Sequence, residues 1–225
     1  MIRARSAPAK AARGAGRPPR LSRETILEAA LELLARTPDQ PLTVARIAAE
    51  VDAVPAALYR HFANLDELLD GVLGAVLGTL EPRIRRRAAW PEQVRDWMTS
   101  LRAHLLRYPA VLSMLGRRGR TSPAWLDASA VLIAILERAG LAGAELARAY
   151  LWIIETTVGI AMQEASLSLP EQIAGARAAL AEMSEEGRAR LAPLVSGLSG
   201  LGGDAFFAFV VDRTLGALTA LVEGR

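Results

Sequence analysis

The chain has 225 residues, of which 52% are hydrophobic, enough for a small domain joined to a larger one with a sizeable core; the dominance of Ala and Leu over β-branched and aromatic residues predicts helix rather than strand. It has no cysteine and only two histidines, His61 and His104, which excludes a disulfide framework and a thiolate metal site, fits a reducing cytoplasm, and leads us to expect no metal and no cofactor. The net charge of +3 hides an asymmetry: residues 1–23 carry seven basic side chains and no acid, so the rest of the chain is net −4, which points to a local contact with a polyanion and not to a general nucleic-acid surface.

Residues 1–20 read as a disordered basic arm of Ala, Pro, Gly and Arg without periodicity. The arm lacks the apolar region of a secretory signal, and Gly14, Gly16, Pro18 and Pro19 oppose the amphipathic helix of an organellar transit peptide. No run of 18 apolar residues occurs, so neither a transmembrane helix nor a membrane partner is expected. Ser22 caps a first helix that runs to about Arg36, with Ile26, Leu27, Ala30, Leu31, Leu33 and Leu34 at helical spacing. The run Thr37-Pro38-Asp39-Gln40-Pro41 breaks it. Thr43 caps a short helix, Val44 to Glu50. Val51-Asp52-Ala53 is a tight turn, and Pro55 opens another short helix ending near His61. Asn64 and Glu67 form the capping pair of a fourth helix that reaches Leu80. Residues 21–80 thus read as one small helical domain with a linking helix.

Pro82 and the run Arg83-Ile84-Arg85-Arg86-Arg87 mark a junction, and residues 88–225 form a larger helical domain. Its helices are expected at 91–107, 109–117, 123–139, 144–168, 171–187 and 204–222. The Gly- and Ser-rich stretch 192–203 is expected to be loop. No strand and no internal repeat is visible, so the fold class is all-α.

Two short helices joined by a three-residue turn have the geometry of a DNA-reading helix-turn-helix, whose second helix enters the major groove. The segment Leu42-Thr43-Val44-Ala45-Arg46-Ile47-Ala48, followed by Ala57-Leu58-Tyr59-Arg60-His61-Phe62-Ala63-Asn64, resembles the tetracycline-repressor (TetR) family over roughly residues 21–70. Gly16-Arg17-Pro18 before it is also usual there. Arg107-Tyr108-Pro109, Ala139-Gly140-Leu141 and Ala149-Tyr150 through Gly159 look more loosely like the tetracycline-repressor type of C-terminal domain. The resemblance implies a ligand-responsive transcription regulator that binds double-stranded operator DNA as a homodimer, typically a repressor.

The residues agree with it. Thr43, Tyr59 and His61 carry polar tips that can hydrogen-bond phosphate oxygens, and the resemblance implies backbone contacts at the same three positions. The alternative for Tyr59 is a core aromatic with a satisfied hydroxyl, and for His61 a packing or capping role. Arg46 stands where an acid is common; it either adds a phosphate contact or is a solvated surface arginine. The reading edge Val54, Pro55, Ala56 and Ala57 offers thymine-methyl contacts but no bidentate hydrogen bonds. Arg60 reaches a guanine edge or a phosphate. Arg17 is placed either in an A·T-rich minor groove or in a solvated tail. Asp52 replaces a usual turn Gly, Val54 a usual Ser or Thr cap, and Leu65 a phosphate-contacting Lys of the family.

The resemblance places the effector between the middle helices of the larger domain. Candidates are Leu101, His104, Leu105, Met114, Trp125, Trp152, Glu155, Thr156, Gly159, Met162 and Gln163, aromatic walls with a few polar groups that suit a small, largely apolar molecule. Each of them singly is also a plain core candidate. The resemblance also implies a four-helix dimer bundle from 144–168 and 204–222 of each subunit, with Trp152, Phe206, Phe207, Val210, Leu215 and Leu218 as interface candidates. No nucleophile–base set, phosphate loop or metal-spaced cluster is visible, so an enzyme is not expected. The rival reading is a helical interaction module with weakened, sequence-blind DNA binding.

Overall fold

The structure is a computed structural model that describes residues 21–38, 40–112 and 123–224. The arm with Arg17, and the segment with Met114, lie outside the described residues. Among the described residues every regular element is helical.

The small domain, the head, begins with α1 (Arg23–Arg36). Ser22 Oγ accepts from the Thr25 N–H at 3.2 Å and Thr25 Oγ1 accepts from the Ser22 N–H at 2.9 Å, a reciprocal cap that satisfies two otherwise orphaned donors. α2 (Val44–Glu50) and α3 (Pro55–Leu58) follow. α3 is shorter than the sequence predicts. After Leu58 the chain tightens into i→i+3 bonds, Arg60 N–H to Ala57 O at 3.3 Å and His61 N–H to Leu58 O at 2.9 Å, so Tyr59–His61 form turns.

α4 (Leu65–Gly78) starts under the Asn64 cap, whose Oδ1 accepts from the Glu67 N–H at 2.8 Å. Its buried stripe is Leu68, Val72, Leu73, Val76 and Leu77. Gly71 lets α1 and α4 approach closely: a Cβ there would lie 3.1 Å from Leu27 Cδ2 and 3.2 Å from Phe62 Cε1. Further along, Gly74 faces Ala124 of α6 (Pro123–Arg138). α4 therefore packs on the head at one end and on the larger domain, the body, at the other.

In the body, α5 (Trp90–Arg107) packs against α6, α7 (Gly143–Ser166) and α10 (Gly203–Glu223). The amphipathic stripe of α5, Val94, Trp97, Met98, Leu101 and Leu105, is buried there. Residues 109–112 are also helical. One apolar cluster runs without a break from Ile26 in α1 to Leu218 in α10. Arg102 fastens three body helices. Its Nε and Nη2 donate to Glu164 of α7 at 2.6 and 2.7 Å, its Nη1 donates to Asp204 of α10 at 2.8 Å, and it lies over the Phe207 ring at 4.7 Å.

One expectation needs correction. The expected helix 171–187 is two, α8 (Leu169–Glu182) and α9 (Glu185–Gly197), and α9 occupies much of the expected loop 192–203. Ser184 restarts the helix by accepting from the Gly187 N–H at 3.3 Å, and Glu185 and Glu186 in the first turn suit its dipole. Pro193 sits inside α9 without ending it. α10 meets the length and composition of a bilayer-crossing helix, although Asp204, Asp212 and Arg213 keep it from being an unbroken apolar run. Its stripe Phe207, Val211, Leu215 and Leu218 is instead buried in the body, and Asp212 pairs with Arg95 of α5 at 2.7 Å.

Candidate DNA-reading surface and effector region

The two short helices are held by buried Ile47, Ala48, Leu58 and Phe62. Thr43 caps α2, its Oγ1 accepting from the Arg46 N–H at 3.3 Å; the hydroxyl stays exposed and its proton remains available to an acceptor. Asp52 makes the turn with φ +50°, the left-handed region that Asp tolerates better than most residues. Val54 precedes α3 with extended φ and ψ and gives no side-chain cap. Pro55 at the first helical position compensates, since it has no N–H to satisfy and its φ is already helical.

Val54, Pro55, Ala56, Tyr59 and Arg60 are exposed, Val54 to 67% and Tyr59 to 45%. Ala57 and His61 are half-buried. These residues and exposed Thr43 share the α2–α3 unit, so the structure brings together every DNA candidate within the described residues except Arg46. That side chain turns back into the protein, Nη1 donating to Pro41 O at 2.7 Å and Nη2 to Thr37 Oγ1 at 2.5 Å. It ties α2 to the α1–α2 loop, a role beside the phosphate contact and the solvated arginine that the sequence leaves open.

Arg23, the last of the seven basic side chains counted over residues 1–23, belongs to the head. Its Nη1 donates to Glu67 Oε1 at 2.6 Å and to His61 O at 3.2 Å, and its guanidinium lies 4.3 Å from the Phe62 ring centroid. The Ala63 N–H and then Arg23 hold the Glu67 carboxyl below the usual range. No sequence spacing signals this tie, because it joins residues 44 apart. Leu65 opens α4 and is 44% exposed.

The effector candidates fall into two groups. Leu101, His104, Leu105 and Trp125 are buried among α4–α7, and Thr156 and Met162 are half-buried. Trp152, Glu155, Gly159 and Gln163 are exposed along one outward stripe of α7, while Ile153, Ile154, Thr157, Val158 and Ala161 take its inner face. Helical spacing sets the two stripes apart, so these four do not join the buried group around one cavity. Sequence reading named Trp125 but missed the polar partners around it and the Trp97 indole. Trp125 Nε1 donates to Tyr150 Oη at 3.0 Å, and Tyr150 Oη lies 2.9 Å from Ser129 Oγ. The Trp97 indole N–H is buried with no hydrogen-bond partner among the described residues. None of these has a sequence signature, since a tryptophan on an apolar stripe reads as core.

His104 joins head and body. Its Nε2 lies 2.8 Å from the Val76 carbonyl in the last turn of α4; a carbonyl only accepts, so Nε2 carries the proton. Burial lowers the His104 pKa, Arg107 adds to the lowering, and the bond to Val76 opposes it. The Tyr108 ring meets the imidazole edge-on at 5.3 Å between centroids.

The dimer candidates also divide. Phe207, Leu215 and Leu218 are buried within the chain's own core, a correction that follows from the 3.6-residue period. Phe206 and Trp152 are exposed, Val210 is half-buried, and exposed Leu151, Phe209 and Leu221 extend the same outer faces of α7 and α10. Two clefts flank the head–body junction, one of about 870 Å³ against α5 and one of about 550 Å³ against α6. Of the effector candidates among the described residues, only His104 lines either of them. Among the described residues no group of His, Asp and Glu side chains is arranged to hold a metal ion.

Residues 26–72 match the model for bacterial regulatory proteins of the tetR family, and residues 85–222 match the tetracyclin repressor-like C-terminal domain. An HTH-type transcriptional regulator of Saccharopolyspora erythraea is 29% identical over 186 residues, which span 83% of this chain and 78% of that protein. Apo ActR of Streptomyces coelicolor superposes with a TM-score of 0.76 at 24% identity, covering 93% of this chain and 99% of the other. BioQ of Mycobacterium smegmatis gives a TM-score of 0.62 at 25% identity, covering 89% and 99%.

Proposed function

The chain belongs to the tetR family of bacterial regulatory proteins, and we propose that within it this protein is a homodimeric repressor that a small, largely apolar molecule releases from operator DNA. The observation that carries this reading is the exposed edge of α3, Val54 through Arg60, standing on a helix-turn-helix whose other side is fully packed. A free edge of apolar methyls, one phenol and one guanidinium suits methyl contacts in the major groove and hydrogen bonds to phosphate. BioQ, similar in fold, has been crystallised with its double-stranded DNA operator. Thr43, Tyr59 and His61 are assigned to phosphates, Arg60 to a base edge or phosphate, and the basic arm with Arg17 to the adjacent minor groove.

Two heads must be held at a fixed spacing to read two half-sites. The outward apolar faces of α7 and α10 suit a second copy of the chain. The effector is assigned to the body interior near Leu101, Leu105, Trp125 and Met162, with Trp97, Ser129 and Tyr150 as polar anchors; Met114, outside the described residues, stays a candidate by sequence alone. ActR, similar in fold, has been crystallised with actinorhodin. A ligand that prefers the body conformation with misplaced heads shifts the population away from DNA. α4 is the element that carries the shift, because it packs on both domains and is bonded to His104. The regulator acts where the bacterial chromosome lies, in the cytoplasm, and carries out no catalysis.

Fluorescence anisotropy on the DNA flanking its own gene, against scrambled DNA at physiological salt, tests the reading. Preference by roughly a thousandfold or more is expected. Equal, salt-sensitive binding to both would support the rival reading of a sequence-blind module.

A further inference from the structure

We propose that the cleft between the head–body junction and α5 is a second binding site, for a compact oxyanion, a carboxylate or phosphate carried on a small molecule. The cleft has a volume of about 870 Å³, larger than the anion alone, which leaves room for an organic body. Part of the charge lining it is already spent. Arg95 is paired with Asp212 at 2.7 Å and Glu92 at 3.4 Å, and Asp96 with Arg85 at 2.8 Å. Arg83 and Arg107 remain, and neither guanidinium has an ion pair or hydrogen-bond partner among the described residues. Glu81 is the one lining acid without a partner there, so the unspent charge is net positive.

The two arginines come from different elements, Arg83 from the junction and Arg107 from the last residue of α5. Guanidinium forks recognise carboxylate and phosphate bidentately, so one oxyanion between them would join junction and helix. Ser100 adds a donor: its Oγ accepts from the Arg83 N–H at 3.1 Å and its own proton is still free to donate. Thr99 lies on the same wall and is exposed. His104, which also lines the cleft, is the residue bonded to Val76 of α4, so an occupant sits beside the joint between head and body. This site is separate from the apolar effector region, and the proposal does not depend on that assignment.

Isothermal calorimetry with inorganic phosphate and with succinate, at ionic strength held constant with sodium chloride, tests it on the full chain. Saturable binding of either probe is expected, and the two arms tell phosphate from carboxylate recognition. Arg83→Gln with Arg107→Gln should weaken that binding at least about tenfold. Glu81→Gln should tighten it, and Arg86→Gln, which removes a side chain lining the other cleft, should leave it unchanged. The proposal is overturned if neither probe saturates, or if the folded double variant binds like the parent. Should the double variant fail to fold, the Glu81→Gln protein decides: unchanged or weaker binding overturns the site.

Discussion

Single residues in the head carry costs that can be read out one at a time. Asp52 holds φ +50°, where Gly pays no Cβ penalty, so Asp52→Gly should raise stability by roughly 0.5–1 kcal/mol; thermal unfolding measures it. Leu65 is exposed at the start of α4, at the position where the family resemblance implies a phosphate-contacting lysine. Leu65→Lys should steepen the salt dependence of DNA affinity by about one unit in log–log slope, and equal slopes would remove this position from the interface. His104 is legible in sequence only as a polar residue on an apolar stripe. The structure adds its bond to Val76 and a pKa lowered chiefly by burial from the ordinary 6.5. An unfolded chain takes up that proton more readily. The stabilisation is therefore complete above about pH 6.5 and is lost as pH falls from there towards the folded value. Carboxylates such as Glu67 and Asp96, whose pKa values are also lowered, lose theirs only below their ordinary values of 4.5 and 3.8. In His104→Gln, whose amide still donates to Val76, the loss of stability between about pH 6.5 and 5 should be smaller; an unchanged pH profile would count against the buried neutral ring.

At the scale of elements, most helices announce themselves through caps and periodicity. α1, α2, α4 and α5 lie within a residue or two of expectation because Ser22, Thr43, Asn64 and Pro91 mark their starts. α3 and the α8–α9 pair depart for local reasons: the chain tightens after Leu58, and Ser184 begins a new helix where a single one was expected. What no pattern reveals is how helices are fastened across the fold. Arg102 and Glu164 are 62 residues apart, and their side chains are only 12% and 14% exposed. Arg102→Ala strands the Glu164 carboxylate and should cost roughly 3 kcal/mol in denaturant unfolding. An apolar pair, Arg102→Met with Glu164→Leu, should recover most of that loss, since it leaves no buried charge behind.

For the whole molecule, the question is what the outer faces of α7 and α10 meet. Trp152 at 52% exposed and Phe209 at 55% are costly to leave in water, and several such residues together form the kind of patch that marks an interaction site. Trp152→Glu with Phe209→Glu should convert a dimer to monomer in sedimentation equilibrium and weaken operator binding with it, while leaving the helical content unchanged. A parent protein that sediments as a monomer would remove the dimer from the proposal. The continuous core from Ile26 to Leu218 bears on the same scale: no solvent layer separates head from body, so a rearrangement around Trp97 or Trp125 reaches α4 through packed side chains.

The sequence by itself determined the class and the head: an all-helical fold class, the position of the helix-turn-helix, the Asp52 turn, and the apolar edge of α3. These follow from local signals, helical period, capping side chains and turn residues, each acting over a few positions. Only the tertiary structure decided which side of a helix is core and which is open. It moved Phe207, Leu215 and Leu218 inside and Trp152, Glu155, Gly159 and Gln163 outside, turned Arg46 onto its own loop, and brought Arg83 and Arg107 to the lining of one cleft. Those outcomes rest on contacts between residues far apart in the chain, where an apolar stripe says that something is buried but not against what.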